Sequence, residues 1–413
     1  MDKLTRRSFV ASASTLAVGV ATKPALSDDA KIDISSAWGA GTPFQKVVDA
    51  FNEKKLGVSV LNRFDGDYEA MTAKALASTA AGRPPALMTT GWKFGYFAKR
   101  TLGARNLREI DVGRAEKLIA NFTPSVHSLV TVDGALIGLP WAMSTPITFI
   151  NMELWKAAGL DPAIPVEFDV DWLYARAAEL DRKLKGKHPA YRSAIDLSNN
   201  EWTSQSFVQN AGGYILDPSE QITLDKPEAV RGMELFCKPA HEGLWTPVSA
   251  KEQDAAFQSG ALAIATTSST RATVYPVGKI EVATAKFPGV PGHARRMNSG
   301  GNFLAIYARN QEQALAALTF LEYCGSEEGQ KLWSGVGYLN TSVHKVPLIN
   351  DFMKPAAAQL GDGLTAETIW PGRRGLEGQD IWRKWVTRML LKEVSVADGM
   401  AKCKLELTPL LAA

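Results

Sequence analysis

Arg373 and Arg374 stand side by side after Trp370-Pro371-Gly372. A guanidinium fork grips a phosphate or carboxylate through two parallel hydrogen bonds. The pair could hold an anion, or it could be a solvated surface pair. Ser268, Ser269 and Thr270 come together just past an apolar, strand-like run. Their hydroxyls suit a hydroxylated ligand or, alternatively, a helix cap. Ser144 ends another such run, where the lobes of α/β proteins present cleft residues; capping a turn is its plainer use. Gly300-Gly301 permits close backbone approach to an anion or hydroxyl, or makes an ordinary turn. Tyr338 lies in a Gly-rich loop that suits an exposed phenol, and Tyr68 opens a helix, where it could bind or pack. These are binding groups rather than reacting ones.

The reagents of catalysis are scarce. Glu201, Asp217, Glu377 and Asp380 are available for a carboxylate pair that cleaves a glycan, but none lies in a recognisable catalytic motif. There is no C-x-x-C and no H-E-x-x-H, and His127, His188, His241, His293 and His344 are scattered. A metal or haem site therefore has no sequence support. The expectation is no catalytic residue, no metal and no cofactor. Cys237, Cys324 and Cys403 are far apart, and one disulfide is the most they could form.

The N-terminus reads as an export leader. Thr5-Arg6-Arg7-Ser8-Phe9-Val10 fits a twin-arginine signal, an apolar stretch runs from Val10 to Ala21, and Ala25-Leu26-Ser27 supplies small residues for cleavage. The stretch is too short to span a bilayer. Residues 1–27 are expected to be removed and the remainder to act in the periplasm. The chain carries a formal net charge of +3. Lys3, Arg6, Arg7 and Lys23 against Asp2 place that excess in the leader. The mature chain is then about neutral, which argues against a nucleic-acid partner. It is also too long for a single core, and two lobes are expected.

The elements that must position the binding groups alternate between strand and helix, which favours an α/β fold. Lys31 to Trp38 alternates like a strand. Thr42 then caps a helix with Pro43 in its first turn and Gln45 completing a capping box. Phe44, Val47, Val48 and Phe51 share one helical face. Val58 to Phe64 and Pro85 to Thr89 read as strands, with an Ala-rich helix from Tyr68 to Ala81 between them. Helices follow at Asp169 to Leu184, Glu228 to Phe236, Gln313 to Tyr323 and Glu327 to Trp333, and the tail from Gln379 to Leu411 is mostly helical. Strands are expected at Ile280 to Phe287 and Asn302 to Ala308.

Between Gly134 and Gly159 an apolar strand reaches Pro140 and Trp141, a polar Ser144-Thr145-Pro146 step follows, and a second strand runs into Asn151 and a helix. With Asp65-Gly66-Asp67-Tyr68-Glu69, Phe257-Gln258-Ser259-Gly260 before Ala263-Ile264, Gly300-Gly301-Asn302-Phe303-Leu304, and Gly337-Tyr338-Leu339, the chain resembles extracellular solute-binding family 1. Within that family it is most similar to the glycerol-3-phosphate-binding type. The resemblance implies a periplasmic binding protein-like fold of two α/β lobes joined by crossing strands, with a ligand cleft between them. Residues 28–143 plus 266–310 would form the first lobe, and 144–265 plus 311–413 the second. Crossings would fall near 142–146, 263–267 and 308–314. The protein would be a monomer that captures a small carbohydrate, polyol or glycerol-phosphate compound and delivers it to the permease subunits of an ABC importer. The alternatives are an exported glycan hydrolase and a solute sensor of the same fold.

The resemblance also places ligand contacts at Tyr68, Ser144, Ser269, Gly301, Asn302, Tyr338 and one of Arg373 and Arg374. This chain departs from the type at Trp92, where a carboxylate is usual. An indole offers a face for stacking and one N–H donor, so Trp92 is expected to stack on a sugar ring or an alkyl or choline-like group. Trp38, Trp141, Trp202 and Trp370 could extend that surface, Trp202 foremost.

Overall fold

The computed structural model describes residues 30–277, 280–368, 370 and 374–411. The proposed leader and Arg373 lie outside them.

Three parallel strands found the first sheet: β1 (Ala30–Ser36) lies between β2 (Val58–Phe64) and β3 (Leu87–Gly91). A short hairpin, β4 (Thr131–Val132) and β5 (Ala135–Leu136), precedes β6 (Leu139–Ser144). The second sheet takes β7 (Pro146–Asn151), β8 (Ser193–Asp196), β9 (Leu262–Ser268) and β10 (Val282–Lys286) in the order β10-β7-β9-β8. β11 (Arg296–Ile306) and β12 (Gly363–Ala366) return to the first sheet, ordered β12-β11-β3-β1-β2 with β6 also on β11. Helices pack on both sheets, and each sheet has its own apolar core. The chain is a two-lobed α/β protein.

The helix Pro43–Glu53 illustrates why the sequence folds this way. The Thr42 hydroxyl accepts the Gln45 N–H, and Pro43 fills the first turn, where its missing N–H costs nothing. Phe44, Val47, Val48 and Phe51 are buried together. The expected capping box is only half made. The Gln45 side chain bonds Asp49 and Asn62 instead of returning to Thr42. β6 and β7 are buried along their whole length, as their unbroken apolar runs require of strands covered on both faces.

The division of the chain between lobes needs correction. Helices Gln311–Cys324 and Glu327–Trp333 were placed in the second lobe, but Leu318, Phe320, Leu321 and Trp333 belong to the first core. Phe320 meets Phe51 with ring centroids 5.1 Å apart. In the other direction β10, expected in the first lobe, pairs with β7 of the second sheet. The strand-helix alternation is alike in both lobes and does not say which core a helix joins.

The chain crosses between the sheets at positions that lie side by side. Thr145 links β6 to β7. At the end of β9, Ser269 N–H donates to the Thr145 carbonyl at 2.9 Å. The crossing expected at 308–314 lies inside β11. Arg296–Ser299 pairs with β12, and Met297 enters the second core. Asn302–Ile306 pairs with β3 in the first lobe. The break falls at Gly300-Gly301, opposite Ser144 and Met143. Gly301 has φ +106°, and a Cβ there would stand 2.0 Å from the Ala142 carbonyl oxygen, so only glycine fits. Buried Gln359 ties the bundle together through Nε2, which donates to Thr145 Oγ1 at 2.9 Å and the Pro146 carbonyl at 3.0 Å.

Candidate ligand cleft

Six of the expected contact residues, Tyr68, Ser144, Trp202, Gly301, Asn302 and Tyr338, gather at the crossings. Asn302 directly follows the glycine break, and its Nδ2 donates to Tyr68 Oη at 2.7 Å. Tyr338 is half-buried and stacks on Trp333 at 9° between planes. Burial, and then the neighbouring Tyr338, push the Tyr68 phenol far above its ordinary range. It stays a neutral donor and acceptor at any physiological pH. Ser144 faces Gly300 across the strand pair, and a Cβ on Gly300 would lie 2.4 Å from Ser144 Oγ and 3.3 Å from the Trp202 ring. Trp202 rides the helix Glu201–Asn210 of the second lobe, whose residues pack along β11. Asn302 Oδ1 and Trp202 Nε1 are both buried without a partner among the described residues. A stranded buried group costs about 1–3 kcal/mol; an acceptor and a donor left open from opposite lobes suit a ligand that completes both.

Other expectations fail. Trp92 is 2 % exposed. Its Nε1 donates to the Ala142 carbonyl at 3.0 Å and the Gly300 carbonyl at 2.9 Å, and its ring lies on Phe303. The indole therefore fastens two crossing strands to the first lobe, and its one donor is already used. Ser269 is fully buried, and its hydroxyl accepts the Thr145 N–H. It serves the crossing before any ligand. Arg374 is exposed and bound through its Nε and Nη2 to both carboxylate oxygens of Glu377 at 2.8 and 2.6 Å. Trp141 and Trp370 are buried in opposite cores, so neither widens a ligand surface; Trp38 is half-buried and packs edge-on against Trp333 and Tyr338.

Beside the crossings a cavity of about 550 Å³ opens between the lobes. Trp92, Lys93, Tyr96 and Val132 line it from the first lobe; Gln209, Tyr214, Asp217, Thr365 and Glu367 line it from the second. Of the expected site residues only Trp92 reaches this lining, so what the structure corrects is its role as a hydrogen-bond donor to the ligand, not its place at the cleft. Lys93 Nζ lies 2.5 Å from Glu69 and 4.0 Å from Glu367. Burial pulls the ammonium toward neutrality, but the facing carboxylates outweigh it and its pKa rises. Burial drives the Glu367 carboxyl the other way, up to about 7, against the pull of Lys93. At the rim Arg100 donates to Asp133 of its own lobe at 2.8–2.9 Å and to Glu220 of the other at 2.6 and 3.2 Å. Tyr96 and Tyr214 face the same space from opposite lobes, Tyr96 under Arg100 and Tyr214 under Arg296.

Sequence reasoning missed Lys93, Arg100, Glu220 and Glu367. Lys93 carried a usable signal, since it follows the C-terminal end of a parallel strand, where clefts of α/β sheets form. Glu367 carried none, being a single carboxylate outside any motif.

The family model for bacterial extracellular solute-binding proteins matches residues 46–359. The sn-glycerol-3-phosphate-binding periplasmic protein UgpB of Yersinia pestis is 23 % identical over 321 residues, 72 % of this chain and 71 % of that one. Among solved structures, UgpB from Mycobacterium tuberculosis in complex with glycerophosphocholine superposes with a TM-score of 0.79 at 20 % identity, covering 92 % of this chain and 98 % of that one. The cyclic alpha-maltosyl-1,6-maltose binding protein from Arthrobacter globiformis gives 0.75 at 19 %, covering 92 % and 98 %. With the greater part of its length matched and its two lobes framing a cleft, this chain belongs to the bacterial extracellular solute-binding proteins.

Proposed function

We propose that this protein is the periplasmic solute-binding component of an ABC importer and performs no chemistry on its cargo. The leader directs it through the twin-arginine route. It works as a monomer, binds no nucleic acid, and hands its solute to permease subunits in the inner membrane. The observation that carries this reading is the cavity that both lobes line, with Asn302 Oδ1 of one lobe and Trp202 Nε1 of the other each buried and unpartnered among the described residues. Closing on the solute would bend the chain at Thr145, Ser269 and Gly300-Gly301, where the crossings adjoin.

The cargo is a neutral polyhydroxy compound, a carbohydrate or polyol. The lining carries two tyrosines, four aliphatic hydroxyls, three carboxylates and Gln209 among its apolar residues, and Arg374 is held by Glu377. A glycerol-phosphate compound is the second reading, supported by Lys93 and Arg296 in the same lining. Glycan hydrolysis has little to work with. Glu201 and Asp380 are bound to Arg383, Glu377 to Arg374, and Asp217 caps its own turn. A thermal-shift screen against maltose, ribitol, sn-glycerol-3-phosphate and glycerophosphocholine tests the assignment. A ligand at a hundred times its Kd adds about 2.7 kcal/mol of stability. No shift with any of these compounds, or turnover of a bound glycan, would overturn it.

A further inference from the structure

We propose that Glu367 is a ligand-binding carboxylate, delivered into the cleft by the second lobe, that selects solutes presenting hydroxyl donors over solutes presenting phosphate. The proposal rests on the solute-binding reading above and adds to it a residue and a ligand chemistry.

Glu367 follows β12, the strand that pairs with the second-lobe half of β11. That pairing brings it to the same cavity as Trp92. The residue is only 8 % exposed, and a buried carboxylate offers about four acceptor sites that need donors. The protein supplies few. Gln379 Nε2 reaches Oε1 at 3.4 Å, a long bond, and Lys93 Nζ stands 4.0 Å away because Glu69 holds it at 2.5 Å. Among the described residues, none donates to Glu367 Oε2.

Several polar groups around it are already engaged. Gln209 Nε2 donates to Asn298 Oδ1 at 2.9 Å, and the Thr365 hydroxyl bonds Gln209. The Thr368 carbonyl accepts from Gln379 at 3.0 Å. Trp92 has used its N–H on backbone carbonyls. Glu367 keeps open acceptor capacity on this wall, and that capacity calls for donors. Adjacent hydroxyls of a sugar or polyol meet it. A phosphate at the same place brings its own negative charge beside Glu69 and Glu201, whose field Glu367 already feels. Lys93 balances the carboxylate without satisfying it.

The test measures calorimetric affinity for maltose, ribitol and sn-glycerol-3-phosphate with the full mature chain and its Glu367→Gln variant. Glutamine keeps the shape and removes the charge. We expect a hydroxyl-only probe to bind the wild type and to lose at least tenfold in affinity in Glu367→Gln, while the variant unfolds at or above the wild-type temperature. Glu367→Asp, which shortens the reach but keeps the charge, should fall between the two. Equal affinity for the hydroxyl probe in wild type and Glu367→Gln overturns the proposal and leaves the solute-binding reading standing. Wild-type binding of sn-glycerol-3-phosphate alone also overturns it. Absence of binding to every probe overturns both. A variant that loses affinity and stability together would identify Glu367 as a structural partner of Lys93 and equally overturn the proposal.

Discussion

Replacing Trp92 with phenylalanine separates an architectural indole from a ligand-stacking one. The substitution keeps an aromatic ring against Phe303 but deletes the N–H that reaches the Ala142 and Gly300 carbonyls at 3.0 and 2.9 Å. Buried acceptors left short of a donor cost about 1–3 kcal/mol. The smaller ring leaves a void at a residue 2 % exposed, adding about 1 kcal/mol by the usual large-to-small cost. The total is about 2–4 kcal/mol, which for a protein of this size lowers Tm by on the order of 2–5 °C. Affinity for the best polyol or sugar should stay within about threefold of wild type, because the donor it loses never faced the ligand. Thermal unfolding and calorimetry on the same preparation check both. A variant with unchanged Tm and tenfold weaker binding would refute the reasoning and return Trp92 to the ligand wall.

Gly301→Ala forces a Cβ to within 2.0 Å of the Ala142 carbonyl oxygen at φ +106°. It should cost at least 2 kcal/mol, combining left-handed strain of about 1–2 kcal/mol with displacement of β6; a urea midpoint equal to wild type would contradict the placement of the crossing. The folded-state pKa of Glu367 is raised from 4.5 to about 7, chiefly by burial, so the native state retains a proton that the unfolded chain has lost. Its contribution to stability is therefore full below pH 4.5 and lost as pH rises toward 7. The loss is on the order of 3 kcal/mol, and Glu367→Gln should gain that much on wild type between pH 5 and 8; a flat difference would sink the argument. Asp196, raised to about 6 by burial, acts in the same direction over a lower window, so Asp196→Asn should remove part of the fall between pH 4 and 6 in the same titration. Arg100→Gln removes the rim contact to Glu220 and should weaken binding about threefold to fivefold at low salt, a worth of up to about 1 kcal/mol for a partly exposed network. The effect should fade at 0.5 M salt, and a salt-independent loss would mean that the guanidinium touches the ligand.

How much of this was legible from sequence depended on whether the signal was local. The 43–53 helix was readable because cap, proline and apolar face lie within twelve residues. The first crossing was readable because two buried strands flank one polar step. The third crossing was not: β11 is one continuous strand in both lobes, and its Gly-Gly step resembles a turn between two shorter strands. Trp92 was misread for a related reason. Its partners are carbonyls 50 and 208 residues away, and backbone acceptors leave no mark on the sequence. The gathering of Tyr68, Asn302 and Tyr338 followed from family pattern, not from periodicity; only the structure joins Tyr68 to Asn302, 234 residues apart.

Two ion pairs at the cleft join the lobes. Lys93 and Arg100 come from the first, Glu367 and Glu220 from the second. Each cation is also held by an acid of its own lobe, Glu69 for Lys93 and Asp133 for Arg100. Separating the lobes would therefore leave both cations paired and strand only the second-lobe acids. Glu220, exposed at the rim, can return to water at little cost, while Glu367 can take up a proton near neutral pH. In the proposed closure such an arrangement keeps the empty protein from being locked shut, because the cross-lobe pairs add modest energy to cations that are already satisfied. The larger difference between open and closed must then come from the solute, through the unfilled acceptors of Asn302 and Glu367 and the donor of Trp202. A binding protein that must release its cargo to a permease needs that order of energies, with the ligand rather than the lobes deciding closure.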